Sequence, residues 1–208
     1  MLQFFLKGGI VMIPLALCSI AALTIIVERI LFYIRAGKWE EREAKLVKVY
    51  LAQGKIADAR AITSSWNSTS GRMAEAALKQ WTENPKLLEQ VMETTGNSEL
   101  KKFERGLSVL DTIVTASPLL GLLGTVTGII KAFTALSTVG SNPTQLSLGI
   151  AEALYTTAFG LAIAIPTLFF INGFYGIVEK QARKLTSESQ ELLATLRRIA
   201  GENDEIRG

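Results

Sequence analysis

Three long apolar stretches alternate with charge-rich ones along this 208-residue chain. From Gly8 to Val27 twenty residues carry no charge, and apolar character continues through Ile30-Leu31-Phe32-Tyr33-Ile34. At about 1.5 Å of helical rise per residue, such a run matches a hydrocarbon core of roughly 30 Å. It is longer than the apolar part of a cleaved signal peptide and only Lys7 precedes it, so it reads as a retained span. A second stretch covers 107–136 and a third covers 147–176. Between them lies the uncharged, turn-rich Ser137-Thr138-Val139-Gly140-Ser141-Asn142-Pro143-Thr144. Both later stretches exceed what a membrane needs, which predicts tilted helices or helices that project beyond it. Pro14, Pro118 and Pro166 fall one in each span, and each is a candidate kink.

The polar segments carry a helical rhythm. Trp39 to Gln53 places Leu46, Val49 and Tyr50 on one face, and Gly54 ends it. Further helices are expected at Ile56–Trp66, Gly71–Trp81 and Pro85–Thr95, with turns at Asn67-Ser68-Thr69-Ser70 and Glu83-Asn84-Pro85. Pro85 suits a first helical position and Gly96 a helix end. No strand-like alternation persists, and Trp39, Trp66 and Trp81 are expected to pack between helices. The tail Glu179–Arg198 is amphipathic, with Leu185, Leu192, Leu196 and Ile199 near one face. It is expected to continue the third span as one long helix and to fray at Gly201 and the polar Glu202-Asn203-Asp204-Glu205.

Charge divides the chain in the same places. Of its 41 Lys, Arg, Asp and Glu residues, 23 lie in 35–106 and 12 in 177–208. The spans and their edges hold only Lys7, Glu28, Arg29, Asp111, Lys131 and Glu152. Arg29, Arg35, Lys38 and Arg42 flank the end of the first span; Lys101, Lys102 and Arg105 precede the second; Lys180, Arg183 and Lys184 follow the third. Basic residues favour the cytoplasmic side. The fold expected is an all-α membrane protein with three long transmembrane helices, N-out and C-in. Residues 1–9 form a short periplasmic N-terminus, 10–34 the first span and 35–106 a cytoplasmic helical domain. The second span takes 107–136, a periplasmic loop 137–146, the third span 147–176 and a cytoplasmic C-terminal helix 177–208.

Composition then removes several functions. The middle segment carries 13 basic and 10 acidic residues, interleaved and without an aromatic-basic motif, which describes a solvated helical surface and not a nucleic-acid patch. There is no His, the usual general base and commonest metal ligand, and no convincing nucleophile–base pair, so no enzyme and no metal site is expected. The single cysteine, Cys18, excludes an intrachain disulfide and sits in an apolar run as a small hydrophobe.

What remains is the sparse polar chemistry of the spans. An ionisable group there is costly and is a functional hypothesis by default. Glu152 is the clearest case, a carboxylate whose charged form is disfavoured in low dielectric and which is a candidate for binding and releasing protons. The alternative is a carboxylate neutralised by Lys131, at a comparable depth on the second span. Ser117, Gly121, Gly124 and Gly128 have the small-xxx-small spacing that lets helices approach closely. Asp111, Pro118 and Thr125 recur every seven positions and form a candidate polar stripe. Thr125 could instead bond a carbonyl of its own helix, and Asp111 could pair with a Lys or Arg at the membrane edge. On the third span Thr156 lies about 40° from Glu152 and Thr157 about 140° away, so a path using both Glu152 and Thr157 must run between helices.

Ala116-Ser117-Pro118-Leu119-Leu120-Gly121-Leu122-Leu123-Gly124-Thr125-Val126-Thr127-Gly128-Ile129-Ile130-Lys131-Ala132-Phe133 resembles the second-span signature of the ExbB/TolQ/MotA proton-channel family. Gly149-Ile150-Ala151-Glu152-Ala153-Leu154 through Thr157, with Gly160-Leu161 and Ala164-Ile165-Pro166, resembles its third-span signature. Three spans and a helical middle are similar to the ExbB/TolQ branch, since MotA-type subunits have four spans and a larger cytoplasmic domain. The resemblance implies a multi-pass protein of the bacterial inner membrane that forms a homopentameric ring in lipid. The ring would surround a dimeric, single-span ExbD- or TolR-like partner whose membrane aspartate is the principal proton carrier. It also implies a proton pathway through Glu152, Thr125 and Thr157, with Asp111, Lys131 and Thr156 as lumen or charge-pair candidates. Pro118, Gly121, Gly124, Gly128 and Pro166 would serve packing or kinking. No cofactor is implied, protons being the coupling ion. The expected output is force delivered to a TonB-like transducer for outer-membrane transport; the alternatives are a TolA-linked role in envelope maintenance and a non-conducting membrane scaffold. Lys131 stands at a commonly uncharged position of the motif.

Overall fold

The computed structural model of the chain describes residues 9–36, 46, 47, 49–64, 66, 68–80, 85–139 and 143–207. Lys7, Lys38, Trp39, Arg42, Trp81 and the turn at Gly140-Ser141-Asn142 lie outside the described residues. The named helices are α1 (Met12–Ala36), α2 (Ile56–Thr63), α3 (Thr69–Gln80), α4 (Pro85–Glu104), α5 (Leu107–Val139) and α6 (Pro143–Arg207). No strand occurs among the described residues. Three apolar helical stretches are long enough to cross a membrane, within Met12–Ala36, Leu87–Thr134 and Leu146–Ile199.

The chain divides into two units. One takes α1 as far as Arg29, α5, and α6 as far as Phe174; the other takes the rest of the chain. In the first unit much of the apolar surface faces outward. Ile10, Leu17, Leu23, Leu119, Leu122, Leu154 and Phe169 are all exposed. Exposed surface of that kind belongs in lipid or against another apolar chain, not in water. The faces turned inward are narrower and built from small residues. Ser117, Ala132, Ala153, Thr156, Ala164 and Thr167 are buried there, beside Leu15, Leu110 and Ile171.

The second unit has an ordinary water-soluble core. Val47, Leu51, Ala59, Met73, Ala74, Ala77, Leu78, Leu88 and Met92 pack with Leu185 and Leu196 of α6, and Trp66 lies against them. The amphipathic tail therefore closes a helical cluster with its apolar face, as its spacing predicts. Glu99 is buried in this unit, where Lys102 and Arg72 (Arg72 Nη1–Glu99 Oε1 3.4 Å) bind its carboxylate. Tyr33 donates its hydroxyl to the Phe103 carbonyl at 2.7 Å and stacks on the Phe103 ring. Gly54, at φ +69°, supplies the left-handed turn before α2.

Four local expectations are corrected. Gly96 lies within α4, not at its end, because the helix runs from Pro85 to Glu104. Its small size is spent facing the Met73 sulfur, 3.9 Å from where a Cβ would stand. α2 stops at Thr63, short of Trp66, where the Thr63 hydroxyl turns back to the Arg60 carbonyl at 3.1 Å. Pro14 sits in the first turn of α1, where its missing N–H has no helical carbonyl to lose, so it cannot act as a mid-helix kink. Finally, α6 continues through Gly201 to Arg207.

α3 begins on a side-chain cap. Ser68 Oγ accepts the Gly71 N–H at 3.0 Å, and a Cβ at Gly71 would stand 2.8 Å from that same oxygen. Ser68→Ala is expected to lower the stability of this helical core by about 1 kcal/mol, read as an earlier thermal transition of the detergent-solubilised full chain with its membrane-embedded helicity unchanged.

Candidate functional site

α5 and α6 run against each other as antiparallel helices whose contact faces lack bulk. A Cβ placed on Gly121 would stand 2.9 Å from both the Thr156 carbonyl oxygen and the Thr157 Cα; on Gly128, 2.9 Å from the Ala153 Cβ. From the other helix, a Cβ on Gly149 would meet Ala132 at 2.6 Å, and one on Gly160 would meet the Ser117 carbonyl oxygen at 2.5 Å. Five positions thus forbid a side chain, counting Gly124, whose Cβ would overlap Thr156. Close approach of two backbones brings the carbonyls of one helix within reach of the short hydroxyls of the other.

The result is a cluster of three threonines. Thr125 Oγ1 and Thr157 Oγ1 are hydrogen-bonded to each other, and either can donate. Thr157 Oγ1 also reaches the Gly121 carbonyl at 3.0 Å. Thr125 Oγ1 reaches the same carbonyl at 3.2 Å and the Ala153 carbonyl at 3.3 Å. Thr156, fully buried, donates to Ala153 O at 2.7 Å or to Gly121 O at 3.2 Å. Each hydroxyl has one proton to give. The Thr125–Thr157 pair therefore has two complete arrangements. In one, Thr125 donates to Thr157, which donates to Gly121 O; in the other, Thr157 donates to Thr125, which donates to Gly121 O or Ala153 O. The two arrangements differ in which way the hydroxyl protons point, the carbonyls at either end accepting hydrogen bonds only.

The structure brings Thr125, Thr156, Thr157 and Gly121 together, and with them Gly124 and Gly128. Glu152 stands one turn from Thr156 on α6, about 6 Å along the axis, and is half-buried. Lys131 is exposed, and no ion pair joins it to Glu152 among the described residues. Asp111 is exposed and borders a shallow recess with Thr112, Thr115, Ala116 and Leu119, apart from the threonine cluster. Pro118 lies inside α5 and Pro166 inside α6, both helices continuing through them.

Two features of this site escaped the sequence reading. The first is the small-residue face of α6, where Gly149, Ala153, Thr156 and Gly160 repeat at intervals of four, three and four. That rhythm was visible, but only its counterpart on α5 stood out. The second is Ser117, fully buried against Gly160, whose hydroxyl finds no hydrogen-bond partner among the described residues. Its spacing with the glycines conceals this, because a serine in such a row reads simply as small.

Comparison with known proteins places these features in a family context. The profile of the MotA/TolQ/ExbB proton channel family matches residues 65–187, which include both glycine faces and all three threonines. The chain is 34% identical to the biopolymer transport protein ExbB-like 1 of Synechocystis, over 96% of this chain and 80% of that relative. It is 32% identical to the biopolymer transport protein exbB1 of Vibrio cholerae, over 77% of this chain and 72% of the relative. With the Tol-Pal system protein TolQ of Pseudomonas aeruginosa it shares 35% identity over 56% of this chain and 51% of the relative.

Gly121→Ala is expected to disrupt the α5–α6 contact, since both nearest atoms belong to backbone and cannot rotate away; a loss of about 1–3 kcal/mol is the usual cost of overpacking. Gly173→Ala, with nothing within 4 Å, is the matched control and should be neutral or stabilising. Ser117→Ala removes an unsatisfied buried hydroxyl and is expected to stabilise the unit by about 1 kcal/mol. Thermal unfolding of the purified complex in one detergent compares all three.

Proposed function

The chain belongs to the MotA/TolQ/ExbB proton channel family, and on that premise we propose that it is the ring-forming subunit of a motor driven by the proton motive force. The observation that carries the reading is the Thr125–Thr157 hydroxyl pair, set between two helices that glycines hold in backbone contact. A packing interface needs the glycines but not a hydroxyl chain with two proton arrangements. Glu152, one turn away on the same helix, is the ionisable group that loads or discharges that chain.

In this reading five copies surround the single spans of a dimeric ExbD- or TolR-like partner. The N-terminus faces the periplasm, while the α2–α4 core and the end of α6 face the cytoplasm. Protonation of a partner aspartate changes which ring position that helix prefers, and release through Glu152, Thr125 and Thr157 resets the preference. The bacterial inner membrane supplies the potential, in which one charge crossing 100 mV is worth roughly 2.3 kcal/mol. The work is passed to a TonB-like transducer that energises outer-membrane transport. Coverage favours this ExbB-type role over the TolQ-type one. The ExbB-like relative of Synechocystis aligns along 96% of the chain, whereas the Pseudomonas TolQ aligns along 56%.

Glu152→Gln and Thr157→Val test the pathway. Each is close in shape to the native residue, so assembly of the complex should persist while proton-dependent work in cells falls by about tenfold or more, equivalent to about 1.4 kcal/mol on the limiting step. A Glu152→Gln protein that assembles and supports full proton-dependent work removes Glu152 from the proposed pathway, whereas one that assembles and does no such work supports it. Native mass measurement of the co-purified complex tests the ring and its partner.

A further inference from the structure

Gly9, three residues ahead of α1, meets two of the ionisable side chains of the later spans, Lys131 and Glu152. Gly9 has φ +66°, and its carbonyl accepts the Met12 N–H at 3.2 Å, which fixes it as the opening turn of α1. A Cβ on Gly9 would stand 2.5 Å from Glu152 Oε1 and 3.7 Å from Lys131 Nζ. Three elements therefore converge at one point: the start of α1, Lys131 of α5 and Glu152 of α6. The carboxylate occupies space that any other residue at position 9 would fill.

We infer that Gly9 is a positioning residue for Glu152, whose backbone seats the carboxylate beside Lys131 without letting the two form an ion pair. The inference rests on the proton-transfer reading of Glu152 and adds a part to it. A carboxylate held against a lysine keeps its charge and stops exchanging protons, because the neighbouring cation favours the ionised form. A carboxylate that lies against the Gly9 backbone is held off the ammonium group and keeps the exchange that the proton-transfer reading needs. The two charged heads share the space around Gly9, and the missing Cβ is what lets the acid lie on the backbone there. A methyl group at position 9 takes that space and displaces the carboxylate, and the cation that the inference gives it to pair with is the Lys131 ammonium group, 3.7 Å from the same Cβ position. The left-handed φ and the close approach together require glycine at this position.

Labelling of Glu152 by dicyclohexylcarbodiimide, which attacks membrane carboxyl groups in their exchangeable form, reads the carboxylate directly and needs no transport assay. In the intact complex in native membranes, mass spectrometry should show Gly9→Ala labelling at Glu152 several-fold more slowly than the native chain. Lys131→Gln should restore the rate in the Gly9→Ala background yet leave it within about twofold in the native background. That pattern is a coupling between the two sites and not a sum of separate effects. Gly54→Ala imposes the same backbone strain, φ +69° with nothing within 4 Å, and should label at the native rate. An unchanged rate in Gly9→Ala overturns the inference, as does an equal slowing in Gly54→Ala. So does faster labelling of Lys131→Gln alone, which means that the native pair is already formed; this variant serves as the test if Gly9→Ala does not assemble. If the labelling pattern is as expected while Glu152→Gln retains full proton-dependent work, the contact stands and it is the proton role of Glu152 that falls.

Discussion

Backbone contact between α5 and α6 is the constraint from which the rest of the membrane-embedded unit follows. In lipid there is little hydrophobic reward for bringing one apolar helix to another, so association depends on close packing and on polar groups that find partners. Gly121, Gly124, Gly128, Gly149 and Gly160 provide the first, and the threonines provide the second. The two are inseparable, because a threonine side chain is short. Thr157 can reach the Gly121 carbonyl on the facing helix only where no Cβ stands between the backbones. The glycines are the reason that hydroxyl chemistry exists here at all.

The charged residues divide along the same line. In the unit built around α2–α4, carboxylates are bound: Glu99 by Arg72 and Lys102, and Glu188 by the Ser70 hydroxyl. Such charge-assisted bonds hold a core together. Glu152 has been given neither a hydrogen-bonding hydroxyl nor an ion-pairing cation among the described residues. Its neighbours are a glycine backbone and a lysine held off. One chain thus treats the same functional group in two ways, fastening it in the helical core and leaving it without such a bond, among the described residues, where exchange is proposed.

Much of this was written in the order of residues. The three apolar stretches, the continuation of the third into the tail, and the motif around Gly121 and Thr125 could all be read directly, because membrane thickness and helical rise leave few alternatives for such runs. The wheel position of Thr157 sets it on a different face of the helix from Glu152, and the structure places its hydroxyl across the gap against Thr125. What could not be read depends on where a different element arrives. Nothing in the spacing of Gly9 places it on Glu152, since the two meet through folding across most of the chain. The orphaned Ser117 hydroxyl was hidden because a helical serine ordinarily turns back on its own carbonyls. Gly96 misled for the opposite reason: its local preference for a helix end lost to the packing of α4 against α3.

The threonine pair has a temporal property as well as a spatial one. On the proposed route a proton taken up at Thr125 Oγ1 releases that hydroxyl's own proton to Thr157 Oγ1, which gives up its own to the next acceptor. Both hydroxyls are then left pointing the other way, and the next proton arriving from the same side finds no acceptor. Before it can pass, each hydroxyl must swing about its own Cβ–Oγ bond and renew its bond to a carbonyl. On the proposed route this makes passage discontinuous, one proton per reset, with an idle interval in which nothing flows. A wide pore that passes hydrated ions has no such pause. A machine that must turn each ion into a step of movement, and not simply dissipate a gradient, requires one.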